Sequence, residues 1–217
     1  MDRRDASTAE LKAALRSLRG LNRYFGSYRV VRHFARRWMK RGDRLRVLDL
    51  ATGSADIPRL IADHARGVGA QVEIVALDFQ PSTIAIAREL SAAYDEIDCR
   101  EADVLTFDDP EPFDIVTCSL ALHHFSDEDA IGLLRRAKQL SRKRVLVSDL
   151  RRGWLADVGV WLLTAMIFRD HMTREDGRTS ARRAFSFAEL CTLARRAGWE
   201  NFGARKFRFA RQAIWLE

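Results

Sequence analysis

The sequence has no long apolar run and little cysteine. No stretch approaches the roughly 18 consecutive apolar residues of a membrane-spanning helix, and the first five residues lead into no apolar signal-peptide core. The three cysteines are far apart and form no C-x-x-C pair, which disfavours both a zinc site and a disulfide framework. We therefore expect a soluble, cytoplasmic protein with no metal and no integral membrane segment.

The net charge of +7 is unevenly distributed, with +10 in residues 1–46, −9 in residues 47–150 and +6 in residues 151–217. Basic ends can attract nucleic acid or anionic lipid. However, 32 of the 37 basic residues are arginine, as a GC-rich genome favours, and no RNA-binding module is recognisable. We expect no nucleic-acid partner, although an RNA methyltransferase or RNA-binding protein stays open as an alternative.

Short apolar strands alternate with helical patterns from Arg46 onward, which predicts a mostly parallel sheet with helices on both faces. The strands are predicted at Leu45–Leu50, Gln71–Leu77, Ile97–Ala102, Phe113–Ser119 and Arg144–Ser148. The helices are predicted at Asp56–Arg66, Ser82–Ala92, Asp127–Leu140 and Ser186–Ala197. The tail, residues 199–216, has the pattern of a closing antiparallel hairpin. The expected fold class is α/β, a doubly wound seven-stranded sheet with an antiparallel last strand.

Two amphipathic helices are predicted before this sheet. Leu11, Leu15 and Leu18 share one helical face in residues 8–19, and a second helix is expected over Tyr28–Lys40. We assign residues 1–44 to an N-terminal helical extension and residues 45–217 to one domain, which is long enough to bury its own core.

A turn of small residues, Ala51 to Ala55, joins the first strand to the next helix. Small side chains let a ligand lie against the exposed N–H groups at the helix N-terminus. The turn holds one glycine, Gly53, where the dinucleotide fingerprint needs three, so NAD is disfavoured. The strand ending in Asp49 and the loop Ala51-Thr52-Gly53-Ser54-Ala55 instead resemble motif I of the class I S-adenosylmethionine (SAM) methyltransferases, which have a Rossmann-like fold.

Acidic residues follow three successive strands, at the sheet edge where such folds bind ligands. Asp78 follows Gly53 by 25 residues, near the spacing that reaches a ribose diol. The resemblance implies that Asp103 accepts from the adenine amino group, with Val104 as apolar cover, and that Asp49 holds the loop or the cofactor's positively charged amino-acid end. The set of implied cofactor contacts is Asp49, Ala51, Thr52, Gly53, Asp78, Phe79, Asp103, Val104, Ser119 and Leu120.

The exit of the fourth strand carries His123-His124, where amino-group methyltransferases have an Asn-Pro-Pro-Tyr type sequence. Neutral imidazole can take a hydroxyl proton near neutral pH. Neighbouring side chains diverge, so we expect His124 to face the acceptor as the base, with His123 in support. The alternative is that both residues only pack and cap the following helix. Asp149, after the fifth strand, would orient an imidazole or hold the acceptor hydroxyl.

The double histidine with Asp149 resembles bacterial small-molecule O-methyltransferases, and residues 21–29 with Leu48–Ala51 more weakly resemble quinone-pathway C-methyltransferases. A lid is expected over residues 151–183, whose apolar helix 153–168 could instead form an interface or contact a membrane surface. The resemblance makes Asn22, Tyr24, Tyr28 and Arg29 candidates for the pocket wall.

Together these features predict a SAM-dependent methyltransferase, monomeric or homodimeric, that transfers a methyl group to the hydroxyl oxygen of a small hydrophobic phenol, quinol or polyketide-like acceptor. A quinone-type C-methyltransferase is the alternative. A non-catalytic partner subunit that keeps the fold is the competing prediction.

Overall fold

The computed structural model describes residues 20, 26–152 and 183–217. The helix predicted over residues 8–19, the candidate pocket residues Asn22 and Tyr24, and the apolar segment 153–168 lie outside the described residues. None of the described helices is both long enough and apolar enough to cross a membrane.

The described residues form five helices and seven strands. In chain order they are α1 (Ser27–Trp38), β1 (Arg44–Leu50), α2 (Asp56–Val68), β2 (Gln71–Asp78), α3 (Pro81–Ser91), β3 (Ile97–Glu101), β4 (Phe113–Ser119), a 3₁₀ turn (Leu122–His124), α4 (Asp127–Leu140), β5 (Ser141–Leu150), α5 (Phe187–Arg196), β6 (Gly203–Phe207) and β7 (Arg211–Leu216).

The strands form one sheet in the order β3-β2-β1-β4-β5-β7-β6. Strands β1 to β5 pair in parallel, and β7 is antiparallel to both of its neighbours, β5 and β6. The predicted fold class is therefore confirmed. The largest boundary difference is at β5, which begins at Ser141 rather than Arg144. Its polar first residues show no apolar pattern, yet Ser141 pairs with Phe113 of β4.

Helices cover both faces of the sheet. On one face α1 and α2 pack over a core that includes Val31, Phe34 and Val47, and the predicted apolar side of α1 is buried throughout. On the other face α4 and α5 pack over Leu48, Val116 and their neighbours. Helix α5 begins at a capping box between Ser186 and Glu189.

The turn after β1 contains three left-handed residues in alternation. Ala51, Gly53 and Ala55 have φ of 54°, 57° and 55°. This conformation costs a residue with a Cβ roughly 1–2 kcal/mol and costs glycine almost nothing. The loop thus keeps the backbone path of a glycine-rich loop with alanine at two of its three left-handed positions.

We expect Ala51→Gly to raise the free energy of unfolding by about 1 kcal/mol, because glycine removes the steric cost at a half-buried position. Urea denaturation of the purified protein measures the change. The control is Ala188→Gly on the exposed surface of α5, where lost helix propensity should lower the same quantity by about 1 kcal/mol. A loss of stability in Ala51→Gly would contradict the strain argument.

Candidate active site

The three predicted carboxylates lie at the carboxyl ends of three adjacent strands. Asp49 is the penultimate residue of β1, Asp78 ends β2, and Asp103 lies two residues beyond β3. Because β3, β2 and β1 are neighbours and parallel, these ends share one edge of the sheet. The small-residue turn lies at the same edge.

Asp78 connects the turn to β2. Its Oδ2 accepts a hydrogen bond from the Gly53 backbone N–H at 2.9 Å, and its Oδ1 accepts from the Gln80 N–H at 3.1 Å. Burial raises the pKa of Asp78. A Cβ built on Gly53 would meet no atom within 4 Å, so the space above this part of the turn is open to a ligand.

Asp49 is a buried carboxylate, only 2% exposed. Thr117 of β4 donates its hydroxyl hydrogen to Asp49 Oδ1 at 2.6 Å. Burial raises the pKa of Asp49 to about 7, which the hydrogen bond from Thr117 opposes. No basic side chain of the described residues forms an ion pair with Asp49. A cation arriving in this site would therefore stabilise the ionised carboxylate.

The side of the site near β3 is more open. Asp103 is exposed, and its Oδ1 accepts from the Leu105 N–H at 2.9 Å. Val104 is buried, whereas Phe79 is 61% exposed, which is unusual for a large apolar side chain. An exposed ring beside Asp78 suits a flat heterocycle, as the predicted cofactor contact requires.

His123 and Asp149 form a buried pair where β4 and β5 end. His123 Nδ1 lies 2.6 Å from Asp149 Oδ1, and the His123 backbone N–H donates to Asp149 Oδ2 at 2.9 Å. The two side chains are 3% and 1% exposed. Two contacts to one carboxylate hold the imidazole by its Nδ1 side, so Nε2 is the ring nitrogen that can take a proton from an acceptor. Of the two predicted roles of Asp149, this geometry supports orienting an imidazole.

His124 differs from His123 in its surroundings. It is exposed, while His123 is buried. The two ring centroids are only 4.3 Å apart, so the expectation that the neighbouring side chains diverge is wrong. Both histidines lie in a 3₁₀ turn, whose tight winding brings consecutive side chains closer than an extended strand does. The assignment of the base to His124 stays a prediction.

The segment between the strand end and the histidines changes direction sharply. Leu120 has φ of 57°, and its N–H donates to the Ser148 carbonyl at 2.8 Å. The Ser119 and Ser148 hydroxyl oxygens lie 3.1 Å apart. This bend turns the chain out of the sheet at the edge where the turn after β1 also lies, and the roles of Ser119 and Leu120 as cofactor contacts stay predictions.

The N-terminal helix contributes one of its predicted residues to the interior. The Tyr28 hydroxyl donates to Asp56 Oδ2 at 2.9 Å, and both residues are buried, whereas Arg29 is exposed. Asp56 is the first residue of α2. Tyr28 therefore ties α1 to the beginning of the helix that follows the small-residue turn.

The sequence predictions missed three polar residues at this edge: Thr117, Ser148 and Arg211. Thr117 could have been found from the sequence, because it is a polar residue within an apolar strand. In the structure it lies opposite Asp49 in the parallel register. No local sequence pattern identifies Arg211, since its hydrogen-bond partner Ser27 is 184 residues away in the chain.

The turn after β1, the buried Asp49 carboxyl group and the open space at Gly53 fit S-adenosylmethionine, whose cationic sulfonium and ammonium groups would favour the ionised form of Asp49. Sheet order and site together define the class I SAM-dependent methyltransferase fold. Residues 47–144 match the family model described as "Methyltransferase domain". This segment, somewhat less than half of the chain, is therefore similar to a methyltransferase domain, in agreement with the methyltransferase and the SAM cofactor that the sequence predicts.

Two relatives and one solved structure to which the chain is similar are also named as methyltransferases. The chain is 37% identical over 110 residues to demethylmenaquinone methyltransferase of Thermus thermophilus, covering 46% of this chain and 48% of that protein. It is 38% identical over 98 residues to the ubiquinone/menaquinone biosynthesis C-methyltransferase UbiE of Xylella fastidiosa, covering 42% and 36%. A SAM-dependent methyltransferase from Aquifex aeolicus matches with a TM-score of 0.67 at 14% identity over 98% of both chains. The chain thus spans half or less of the length of these two relatives.

Proposed function

We propose that the protein transfers the methyl group of SAM to a ring carbon of a small hydrophobic quinol or phenol. The observation that carries this proposal is the buried His123–Asp149 pair at the ends of β4 and β5, the first and second strands along the sheet from β1. The choice of carbon follows the Xylella fastidiosa relative, whose name specifies a C-methyltransferase of ubiquinone/menaquinone biosynthesis, and the name of the Thermus thermophilus relative specifies demethylmenaquinone.

The proton chemistry of such a transfer suits a held imidazole. His123 Nε2 takes the hydroxyl proton, and the resulting phenolate places electron density on the neighbouring ring carbon. SAM supplies an electrophilic methyl group. The ring carbon would take this methyl group and the ring would release its own hydrogen as a proton to solvent, after which the His123 imidazolium would return its proton to the oxygen. Asp149 stabilises the imidazolium and keeps Nε2 directed to the acceptor.

Methylation of the same hydroxyl oxygen, which the double histidine predicts from the sequence, uses the same base and the same first proton transfer. The geometry of His123 and Asp149 therefore serves both outcomes. What differs is which acceptor atom faces the methyl group.

The test is incubation of the protein with ¹³C-methyl SAM and 1,4-dihydroxynaphthalene under reducing conditions. The ¹³C chemical shift of the product separates an aryl methyl group from a methyl ether. We expect an aryl methyl product, and a methyl ether would replace carbon by oxygen as the acceptor atom. No methylated product from this quinol or from a panel of phenols, alongside measured SAM binding, would contradict the proposal.

A further inference from the structure

Arg211, the first residue of β7, is a buried cation outside the proposed proton-transfer pair. It is 7% exposed, and its Nε donates to the Ser27 hydroxyl at 2.9 Å. No carboxylate of the described residues forms an ion pair with it. A buried charge with one neutral partner is costly, because the lost hydration is not replaced. Accordingly, burial lowers the pKa of Arg211 to about 10, which the charge of Asp149 opposes.

The position of Arg211 places it on the acceptor side of the site. It pairs with Leu150, the residue after Asp149, in the antiparallel register of β5 and β7. Most of the predicted cofactor contacts follow β3, β2 and β1, with Ser119 and Leu120 at the end of β4, whereas β7 lies three strands beyond β1, which is roughly 14 Å at the usual strand spacing. The guanidinium and the His123–Asp149 pair therefore lie near the same end of β5, away from the turn that follows β1, but Asp149 pairs with Gln212 and so points to the opposite face of the sheet from Arg211.

Ser148 shares a sheet face with Arg211. Ser148 pairs with Ala213, two residues along β7 from Arg211, so the two are diagonal neighbours on that face, about 7–8 Å apart. Ser148 in turn contacts the Ser119 hydroxyl. One of the two serine hydroxyls donates its hydrogen to the other, so the face carries a guanidinium and one further hydroxyl hydrogen that can be donated to a ligand.

Residues at the start of α1 contact Arg211 and orient its side chain. Gly26 has φ of 90°, and a Cβ there would lie 3.7 Å from Arg211 Cγ. This backbone turn brings Ser27 against the guanidinium. Ser27 itself is 1% exposed, so the hydrogen bond that orients Arg211 is inside the protein.

We propose that Arg211, with the Ser148 hydroxyl, forms an oxyanion-binding site that holds the acceptor as its ionised phenolate. This proposal rests on the proposed function and adds the ionisation state of the acceptor. The cation lowers the cost of removing the hydroxyl proton, and His123 takes that proton. A charge-assisted hydrogen bond to an anion is roughly twice as strong as one to a neutral group, so the site should prefer a phenolate to a neutral ether of the same shape.

The test compares the binding of two probes in the presence of S-adenosylhomocysteine. The first is 4-nitrophenol at a pH where it is ionised, and the second is 4-nitroanisole, its neutral methyl ether. We expect the wild-type protein to bind the phenolate at least about tenfold more tightly. Arg211→Gln should lose this preference while its affinities for 4-nitroanisole and S-adenosylhomocysteine stay unchanged, and Arg211→Lys should keep part of it.

The matched control is Arg208→Gln, an exposed arginine in the same β6–β7 turn, which should keep the wild-type preference. Three results would overturn the proposal: no preference in the wild type, a full preference in folded Arg211→Gln, or a loss of S-adenosylhomocysteine affinity in Arg211→Gln with the phenolate preference intact. The last result would assign Arg211 to the cofactor carboxylate.

If Arg211→Gln fails to fold by circular dichroism, Ser27→Ala replaces it. That variant releases the guanidinium without removing its charge and should lower the preference, whereas an unchanged preference would count against the proposal. The outcome is separable from that of the proposed function. A phenolate preference without methyl transfer would reject the function alone, and methyl transfer without the preference would reject the oxyanion site alone.

Discussion

His123→Ala is expected to lower the rate of methyl transfer by about two to four orders of magnitude, the usual contribution of a positioned general base. The His123 imidazole is the one that Asp149 holds at 2.6 Å, and without it no described group replaces this pair. Affinity for SAM should change little, because the cofactor turn follows β1, on the far side of β4 from β5. Single-turnover rates with labelled SAM, together with calorimetric SAM binding, separate the two quantities.

The adjacent histidine is the matched control. His124→Ala removes an exposed ring of the same type one residue away, and its loss of rate should be much smaller. The reverse order, with His124→Ala nearly inactive and His123→Ala active, would assign the base as the sequence alone predicts. Asp149→Asn should follow His123→Ala in direction, because an amide cannot stabilise the imidazolium as a carboxylate does.

Asp49→Asn is expected to stabilise the apoprotein and to weaken SAM binding. The pKa of Asp49 is raised to about 7 in the folded protein, from 3.8, so the folded state holds the proton more tightly than the unfolded state does. The native carboxylate therefore costs no stability below about pH 4, and stability is lost as the pH rises toward 7. Asparagine is neutral throughout. Unfolding at pH 8 should show a gain on the order of 2–4 kcal/mol.

Measuring the stability gain of Asp49→Asn at a second pH is the control for this prediction. At pH 5 most of the native Asp49 is already protonated, so the difference between variant and wild type should shrink. SAM affinity at pH 8 should fall about 10- to 100-fold, because the ionised carboxylate no longer meets the cofactor's positive charge. An Asp49→Asn protein that is less stable at pH 8, or that binds SAM normally, would show that the carboxylate is satisfied in a different way.

Much of the fold could be predicted from local pattern. The Phe113–Ser119 strand and the Asp127–Leu140 helix have the predicted bounds, because apolar periodicity and a Ser126 cap determine them locally. The strand β5 was predicted too short, since its solvated first residues join the sheet only through pairing with β4. Pairing partners are invisible to a local pattern.

The candidate site likewise has features that local sequence patterns predict and features that they do not. The small turn after β1, the acidic residue at the end of each early strand and the paired histidines are all visible as residue types at particular spacings. Which imidazole Asp149 holds was not visible, because adjacent residues differ in burial only once the 3₁₀ turn packs against β5. The left-handed φ at Ala51 and Ala55 was also hidden, since alanine gives no local signal for a conformation that favours glycine.

The sequence by itself therefore determined the order of strands and helices and the side-chain chemistry available at the sheet edge, because these follow from side-chain type and short-range spacing. Only the tertiary structure decided that Asp49 is buried against Thr117, that His123 rather than His124 meets Asp149, and that Ser27 orients Arg211. Each of these contacts joins residues 26 or more positions apart, and the packing of the whole sheet creates the burial and charge that give them their chemistry.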